Sequence, residues 1–168
     1  DVVGLDNIND YYGIKLKRDR LNEIKREAIN SNRKFKMFEE DLNSNVWIRL
    51  ESFEFEAVIH LAAQAGVRYS IENPRAYLES NILGFQSVLE FVMRSRPKRF
   101  LYASSSSVYG ENSSQPFSEK ASCDEPESYY AATKRANELM AKAYFHTEGV
   151  SSIGLRFFTV YGPWGRPD

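Results

Sequence analysis

Tyr130 and Lys134 stand four residues apart, so a helix that contains both carries their side chains on one face. A lysine ammonium beside a phenol lowers the phenol pKa from its reference of about 10. Tyr130 can then take a proton near neutral pH. Tyr-x-x-x-Lys also occurs by chance on amphipathic helices, and the spacing alone does not choose between a surface pair and a catalytic one. The surroundings favour chemistry. Ser104, Ser105, Ser106 and Ser107 lie upstream, between the apolar Phe100-Leu101-Tyr102-Ala103 and Val108-Tyr109-Gly110. Those flanks are too apolar for a flexible tether. A hydroxyl there can hold a substrate oxygen against the phenol. His60 lies in a strand-like run and His146 near a helix end, neither with a ligand partner at metal-binding spacing. Both read as structural, and no metal site is expected.

Such side chains need a scaffold, and the pattern along the chain supplies one. Residues 2–5, 35–39, 57–63, 100–103 and 153–158 read as strands. Residues 11 to about 29, 46–53, 74 to about 94, and a segment capped by Ser128 and running to about 146 read as helices, and residues 64–73 as a loop. Residues 57–63 form a near-continuous apolar run, as expected for a strand covered on both faces. Alternating strands and helices imply an α/β fold built on a doubly wound parallel sheet. Ligands bind such sheets at the carboxyl ends of the strands. The unusual polar clusters all follow strands: Asp6-Asn7, Asp41, residues 64–68, the serines, and Thr159. Asp6 has the position of an acid that accepts hydrogen bonds from ribose hydroxyls and repels a 2′-phosphate, favouring NAD over NADP. A turn or helix-cap Asp is an equal alternative at this point. A Gly-rich phosphate turn would precede Asp6 and lies outside the sequence.

Charge and composition narrow the function classes. The 168 residues carry 22 Lys+Arg against 23 Asp+Glu, a balance that argues against a general nucleic-acid binder. Nine Lys/Arg against three acids between residues 15 and 36 read as a solvated helix face and its loop. The single cysteine, Cys123, rules out an internal disulfide and a multi-cysteine zinc site. No apolar run approaches the roughly 20 residues of a membrane span. No basic-then-apolar leader is present either, so a cytoplasmic location is expected. The chain opens directly on a strand and stops just after a motif-dense stretch, and it reads as an internal piece of a longer protein.

Taken together, the motifs resemble a known family. Ile59-His60-Leu61-Ala62-Ala63-Gln64-Ala65-Gly66-Val67-Arg68, the serine stretch up to Gly110, Tyr130-x-x-x-Lys134 and Leu155-Arg156-Phe157-Phe158-Thr159-Val160-Tyr161-Gly162-Pro163 are similar, in order, to signatures of the extended short-chain dehydrogenase/reductases, and within them the nucleotide-sugar epimerases. Trp164-Gly165-Arg166-Pro167-Asp168 is most similar to the branch that acts on UDP-glucuronate. The resemblance spans essentially the whole chain. It implies a Rossmann-like domain that lacks its first βα unit and the C-terminal substrate domain, with the substrate-binding region starting at about residues 159–168.

The resemblance also implies roles. Tyr130 is the base on the sugar 4-hydroxyl, Lys134 holds the nicotinamide ribose and tunes Tyr130, and Ser105 hydrogen-bonds the sugar O4. Asp6, Asn7, Asp41, Leu42, Leu61, Ala62, Ala63, Asn81, Ser104 and Phe158 line the NAD site, and Ser106, Thr159 and Arg166 reach the substrate, the last two at its carboxylate. The implied reaction is NAD-dependent 4-epimerisation of UDP-glucuronate to UDP-galacturonate through a 4-keto sugar. Related decarboxylases and 4,6-dehydratases carry an acid within the serine stretch, and this chain has only serines there. A neutral-sugar 4-epimerase of the UDP-galactose type, or a non-catalytic nucleotide-binding module, remains the alternative. Helices 74–94 and 128–146 are expected to pair with their copies in a homodimer, and the missing first strand to leave the strands at 2–5 and 57–62 with open edges. The 168 residues alone are therefore expected to be poorly stable and inactive.

Overall fold

The computed structural model describes residues 1–111 and 115–165. The chain divides into two compact units, one formed by Asp1–Arg49 with the stretch from Thr159 onward, the other by Leu50–Phe158.

In the first unit, β1 (Val2–Leu5) and β2 (Phe35–Phe38) are parallel and in register from Val2↔Phe35 to Leu5↔Phe38. Helix α1 (Ile14–Asn30) connects them. It begins three residues later than the sequence pattern suggests. Residues 6–11 are held instead in turns, with the Asp6, Asn7 and Asn9 side chains accepting from backbone N–H groups two residues on. Leu21 of α1 and Phe38 of β2 are buried. Helix α2 (Val46–Leu50) follows, and Val46 is fully buried.

In the second unit, β3 (Ala57–His60), β4 (Arg99–Ala103) and β5 (Ile153–Leu155) form a parallel sheet in the order β3-β4-β5. Between β3 and β4 lie α3 (Val67–Glu72), α4 (Pro74–Tyr77), a π-helical turn (Leu78–Leu83) and α5 (Gly84–Ser95). Between β4 and β5 lie a 3₁₀ turn (Ser106–Tyr109) and α6 (Tyr129–Glu148). Local chemistry sets the helix ends. Asn73 accepts from Ala76 N ahead of Pro74, Ser128 accepts from Ala131 N, and Gly149 ends α6 in the left-handed region.

One face of this sheet is an aromatic core. Phe85 of α5 is fully buried, with its ring 5.2 Å from Tyr102, 5.4 Å from His60 and 6.4 Å from Phe100. Gly154, opposite Tyr102 in the ladder, makes room for that ring, since a Cβ there would come within 2.5 Å of the phenol oxygen.

The structure corrects three expectations. The strands at 57–63 and 153–158 are shorter. After His60 the backbone of Gln64 bonds to the Asn81 side chain rather than to a strand, and after Leu155 a tight turn brings Phe157 N to Leu155 O. The 64–73 loop contains α3. The 57–63 run is not covered on both faces: Ile59, Leu101 and Ile153 align across the sheet, and Ile59 and Ile153 are 61 % and 59 % exposed. The open strand edges agree with expectation. β1 pairs only with β2, and β3 only with β4, among the described residues.

Phe85→Ala should therefore lower stability by about 3–5 kcal/mol, read from the urea midpoint, because the rings around it cannot close the space. The 168-residue chain expressed alone should bind a hydrophobic dye through the Ile59–Leu101–Ile153 row, and Ile153→Thr should reduce that binding.

Candidate active site

Helix α6 carries Tyr130 and Lys134 one turn apart, and Lys134 reaches the carboxyl end of β4. Lys134 is 2 % exposed, and its Nζ donates to Ala103 O at 2.9 Å. Burial pushes its ammonium down to about 8, so the charge is present at neutral pH. His60 is neutral: burial and then the nearby Lys134 charge hold it down to about 3. It is a core ring, as its sequence position suggests.

Ser105 follows Ala103 by two residues. It is buried, and its Oγ accepts from Ser107 N at 3.2 Å, capping the 3₁₀ turn. An oxygen that accepts still has a hydrogen to donate. The turn is pinned by Ser104 N to Leu155 O at 2.8 Å and Ser106 N to Phe157 O at 2.9 Å. Gly110 closes it at φ 68°, where a Cβ would meet Glu125 O at 2.6 Å. Tyr130 is half-buried with its ring edge-on to Tyr77, 6.1 Å away. Its hydroxyl has no hydrogen-bond partner among the described residues, and the Lys134 ammonium bonds to the strand end rather than to the phenol. The structure thus brings Ser105 and Lys134 to one strand end, with Tyr130 a helical turn away.

Two residues assigned to the cofactor by resemblance make hydrogen bonds within the protein. Asn81 is 1 % exposed in the π-helical turn; its Oδ1 accepts from Gln64 N, and its Nδ2 donates to Gln64 O and Thr133 Oγ1. Its carbonyl accepts from Asn137 Nδ2. Asn81 shapes the loop after β3 and presents no free donor. Ser104 is 3 % exposed and donates to Glu138 Oε1 at 2.7 Å, so its hydroxyl faces α6.

The remaining residues fall at strand ends within each unit. In the first, Asp6 follows β1 and Asp41 and Leu42 lie beyond β2; Asn7 Nδ2 donates to Asp41 Oδ2 at 2.8 Å, joining the two ends. Asp6 Oδ1 accepts from Ile8 N, as a turn Asp does, and Oδ2 has no partner among the described residues. Leu42 O accepts from Trp47 Nε1. In the second, Leu61, Ala62 and Ala63 follow β3, and Leu61 is largely exposed. Ser106 opens the 3₁₀ turn, and Phe158 stands exposed with its ring 5.7 Å from Phe117 and 6.4 Å from Tyr109. Thr159 is exposed. Arg166 lies outside the described residues.

Sequence reasoning placed Gln64 in the polar 64–68 cluster without giving it a role, and passed over Glu138 and Tyr77. Gln64 is buried with Nε2 unpartnered. Glu138 is one turn beyond Lys134, a spacing visible in the sequence. Tyr77 is fully buried and donates to Ala65 O at 2.8 Å and to Gly66 O, which no spacing announces.

Parallel strands with polar groups gathered at their carboxyl ends define the nucleotide-binding α/β class. Residues 9–168 match the NAD dependent epimerase/dehydratase family, and the chain belongs to it. Protein CapI of Staphylococcus aureus is 54 % identical across 99 % of this chain and 49 % of its own length. UDP-glucuronate 4-epimerase 3 of Arabidopsis thaliana is 51 % identical across 99 % of this chain and 38 % of its own. The crystal structure of UDP-glucuronic acid 4-epimerase from Bacillus cereus, in complex with UDP-glucuronic acid and NAD, superposes with a TM-score of 0.86 at 34 % identity, over 99 % of this chain and 51 % of that one. The chain thus spans between 38 % and 51 % of the length of these relatives.

The buried ammonium has a measurable consequence. Between about pH 8 and 10.5 the unfolded chain keeps a proton on Lys134 that the folded chain has released, so stability rises with pH through that window. Below it both states hold the proton and the cost is constant. Lys134→Met should flatten that rise in urea titrations across the same range.

Proposed function

We propose that the protein containing this chain is an NAD-dependent 4-epimerase acting on UDP-glucuronate. The observation that carries the reading is the buried, charged Lys134 fixed at the β4 end beside Ser105, with the unspent Tyr130 hydroxyl on the same helix. The epimerases among its relatives, and the one crystallised with UDP-glucuronic acid and NAD, support it.

The residues present fit NAD. Asp6 keeps one carboxylate oxygen unpaired at the end of β1, where ribose hydroxyls bind in this class. Gln64 keeps a buried amide nitrogen without a partner just beyond β3, and such a donor is costly unless something accepts from it. Lys134 would hold the nicotinamide ribose, and Asn7, Asp41, Leu42, Leu61, Ala62, Ala63 and Phe158 would line the rest. Held there, NAD would supply the hydride acceptor and donor that inversion at C4 of the sugar requires.

The chain's own groups handle the proton and the geometry. Tyr130 Oη takes the proton of the 4-hydroxyl and later gives it back. The Lys134 charge favours the phenolate. Ser105 Oγ donates to the sugar O4 in both directions and keeps that oxygen against Tyr130, and Ser106 flanks it. A 4-keto uronic acid is a β-keto acid that loses CO₂ when its carboxylate bond aligns with the carbonyl π system. Thr159 and Arg166 would hold the carboxylate out of that alignment, for which a planar guanidinium suits. The same reading includes a homodimer through residues 74–94 and 128–146, since Leu139 and Phe145 on α6 stay more than half exposed.

Incubating the full-length protein with UDP-glucuronate and NAD should yield UDP-galacturonate; a pentose product or no change overturns the proposal. Tyr130→Phe should reduce kcat by about 10²–10⁴-fold. Turnover should fall on the alkaline side as pH passes about 8, where Lys134 loses its charge. Arg166→Ala should impair turnover of UDP-glucuronate far more than any turnover of UDP-galactose.

A further inference from the structure

We infer that Glu138 and Arg156 are positioning residues which, through Ser104, lock the serine turn onto α6 and so fix where the Ser105 hydroxyl stands relative to Tyr130. The inference rests on the epimerase reading above and adds two residues to it.

Glu138 lies four residues beyond Lys134 and eight beyond Tyr130, on the same face of α6. Its carboxylate is saturated. Oε1 accepts from Ser104 Oγ at 2.7 Å and Arg156 Nε at 2.8 Å, and Oε2 accepts from Arg156 Nη2 at 2.9 Å and Arg135 Nη1 at 2.9 Å. With four donors in place it has nothing left for a substrate, so it acts through others. Arg156 follows β5 directly and grips Glu138 in a two-pronged pair whose side chains are 17 % and 11 % exposed. Its guanidinium also sits 4.8 Å from the centre of the Tyr109 ring.

The two ends of the serine turn are thereby tied to one ion pair. Ser104 lies two residues before the 3₁₀ turn and bonds the acid; Tyr109 is the last residue of the turn and packs on the base. Lys134 holds the residue before Ser104, through Ala103 O. Burial raises the Glu138 carboxyl pKa, and the hydrogen bonds from Arg156, Ser104 and Arg135 outweigh it and hold the group ionised. Simple attachment of α6 is already provided by buried Ala131 and Ala141. The contacts of the ion pair are concentrated instead at the residues beside Ser105. A misplacement of a reacting group by about 1 Å can cost about a hundredfold in rate, so a device with this reach belongs to catalysis even without touching the sugar.

The test uses full-length protein with NAD and UDP-glucuronate. Ser104→Ala removes one tether and threatens the fold little; Glu138→Gln keeps the shape and removes the charge. Both should lower kcat about tenfold or more while KM moves less than about twofold, the signature of lost transition-state alignment. In a Ser105→Ala background the same changes should add little, because they act through that hydroxyl. Unchanged kcat in both variants, or losses that multiply with that of Ser105→Ala, overturns the inference while wild-type turnover leaves the epimerase reading intact. Wild-type protein without turnover removes the epimerase reading itself.

Discussion

A lysine ammonium removed from water and bonded to a strand-end carbonyl is the constraint around which the second unit is organised. Lys134 cannot sit at that depth unless its charge is answered, and Ala103 O answers it. The contact ties α6 to the carboxyl end of β4 and fixes the phase of the helix. With the phase fixed, Tyr130 and Glu138 must flank the same strand end, one turn to either side. The neutrality of His60 beneath it follows from the same burial and the same charge.

Around that contact the polar interior is nearly self-consistent. Asn81 uses its whole side-chain amide to shape the backbone after β3 and to join Thr133 of α6. A π-helical turn carries it, and such turns often mark functional positions. Among the described residues of the second unit, the network leaves over the buried Gln64 amide nitrogen and Ser95 hydroxyl and the half-buried Tyr130 hydroxyl. Gln64 lies in the loop after β3 and Tyr130 in the first turn of α6, whereas Ser95 ends α5.

The exposed row Ile59–Leu101–Ile153 shows a different kind of incompleteness. Parallel strands are apolar on both faces because helices cover both. Here Phe85, Phe100 and Tyr102 fill one face, while on the other two isoleucines meet water. A residue's type records the surroundings it evolved for. It does not say whether those surroundings lie within the same 168 residues.

Several features were legible in the order of the residues because they depend on near neighbours. Strand and helix identity follow from hydrophobic period. The Ser128 and Asn73 caps, with Pro74 behind the second, follow from local hydrogen bonding. The pairing of Tyr130 with Lys134 follows from helical geometry, and the family follows from motifs in sequence. The strand ends were misjudged where a distant side chain took over the backbone, as Asn81 does at Gln64. The internal hydrogen bonds of Asn81 and Ser104 were hidden for the same reason, since their partners lie 17 and 34 residues away. Glu138 and Arg156 are 18 residues apart and on different elements, so nothing short of packing could join them. Sequence by itself determined which groups are available and which share a helix face. Only the tertiary structure decided which of those groups are already spent, because hydrogen-bond saturation is a property of distances between elements.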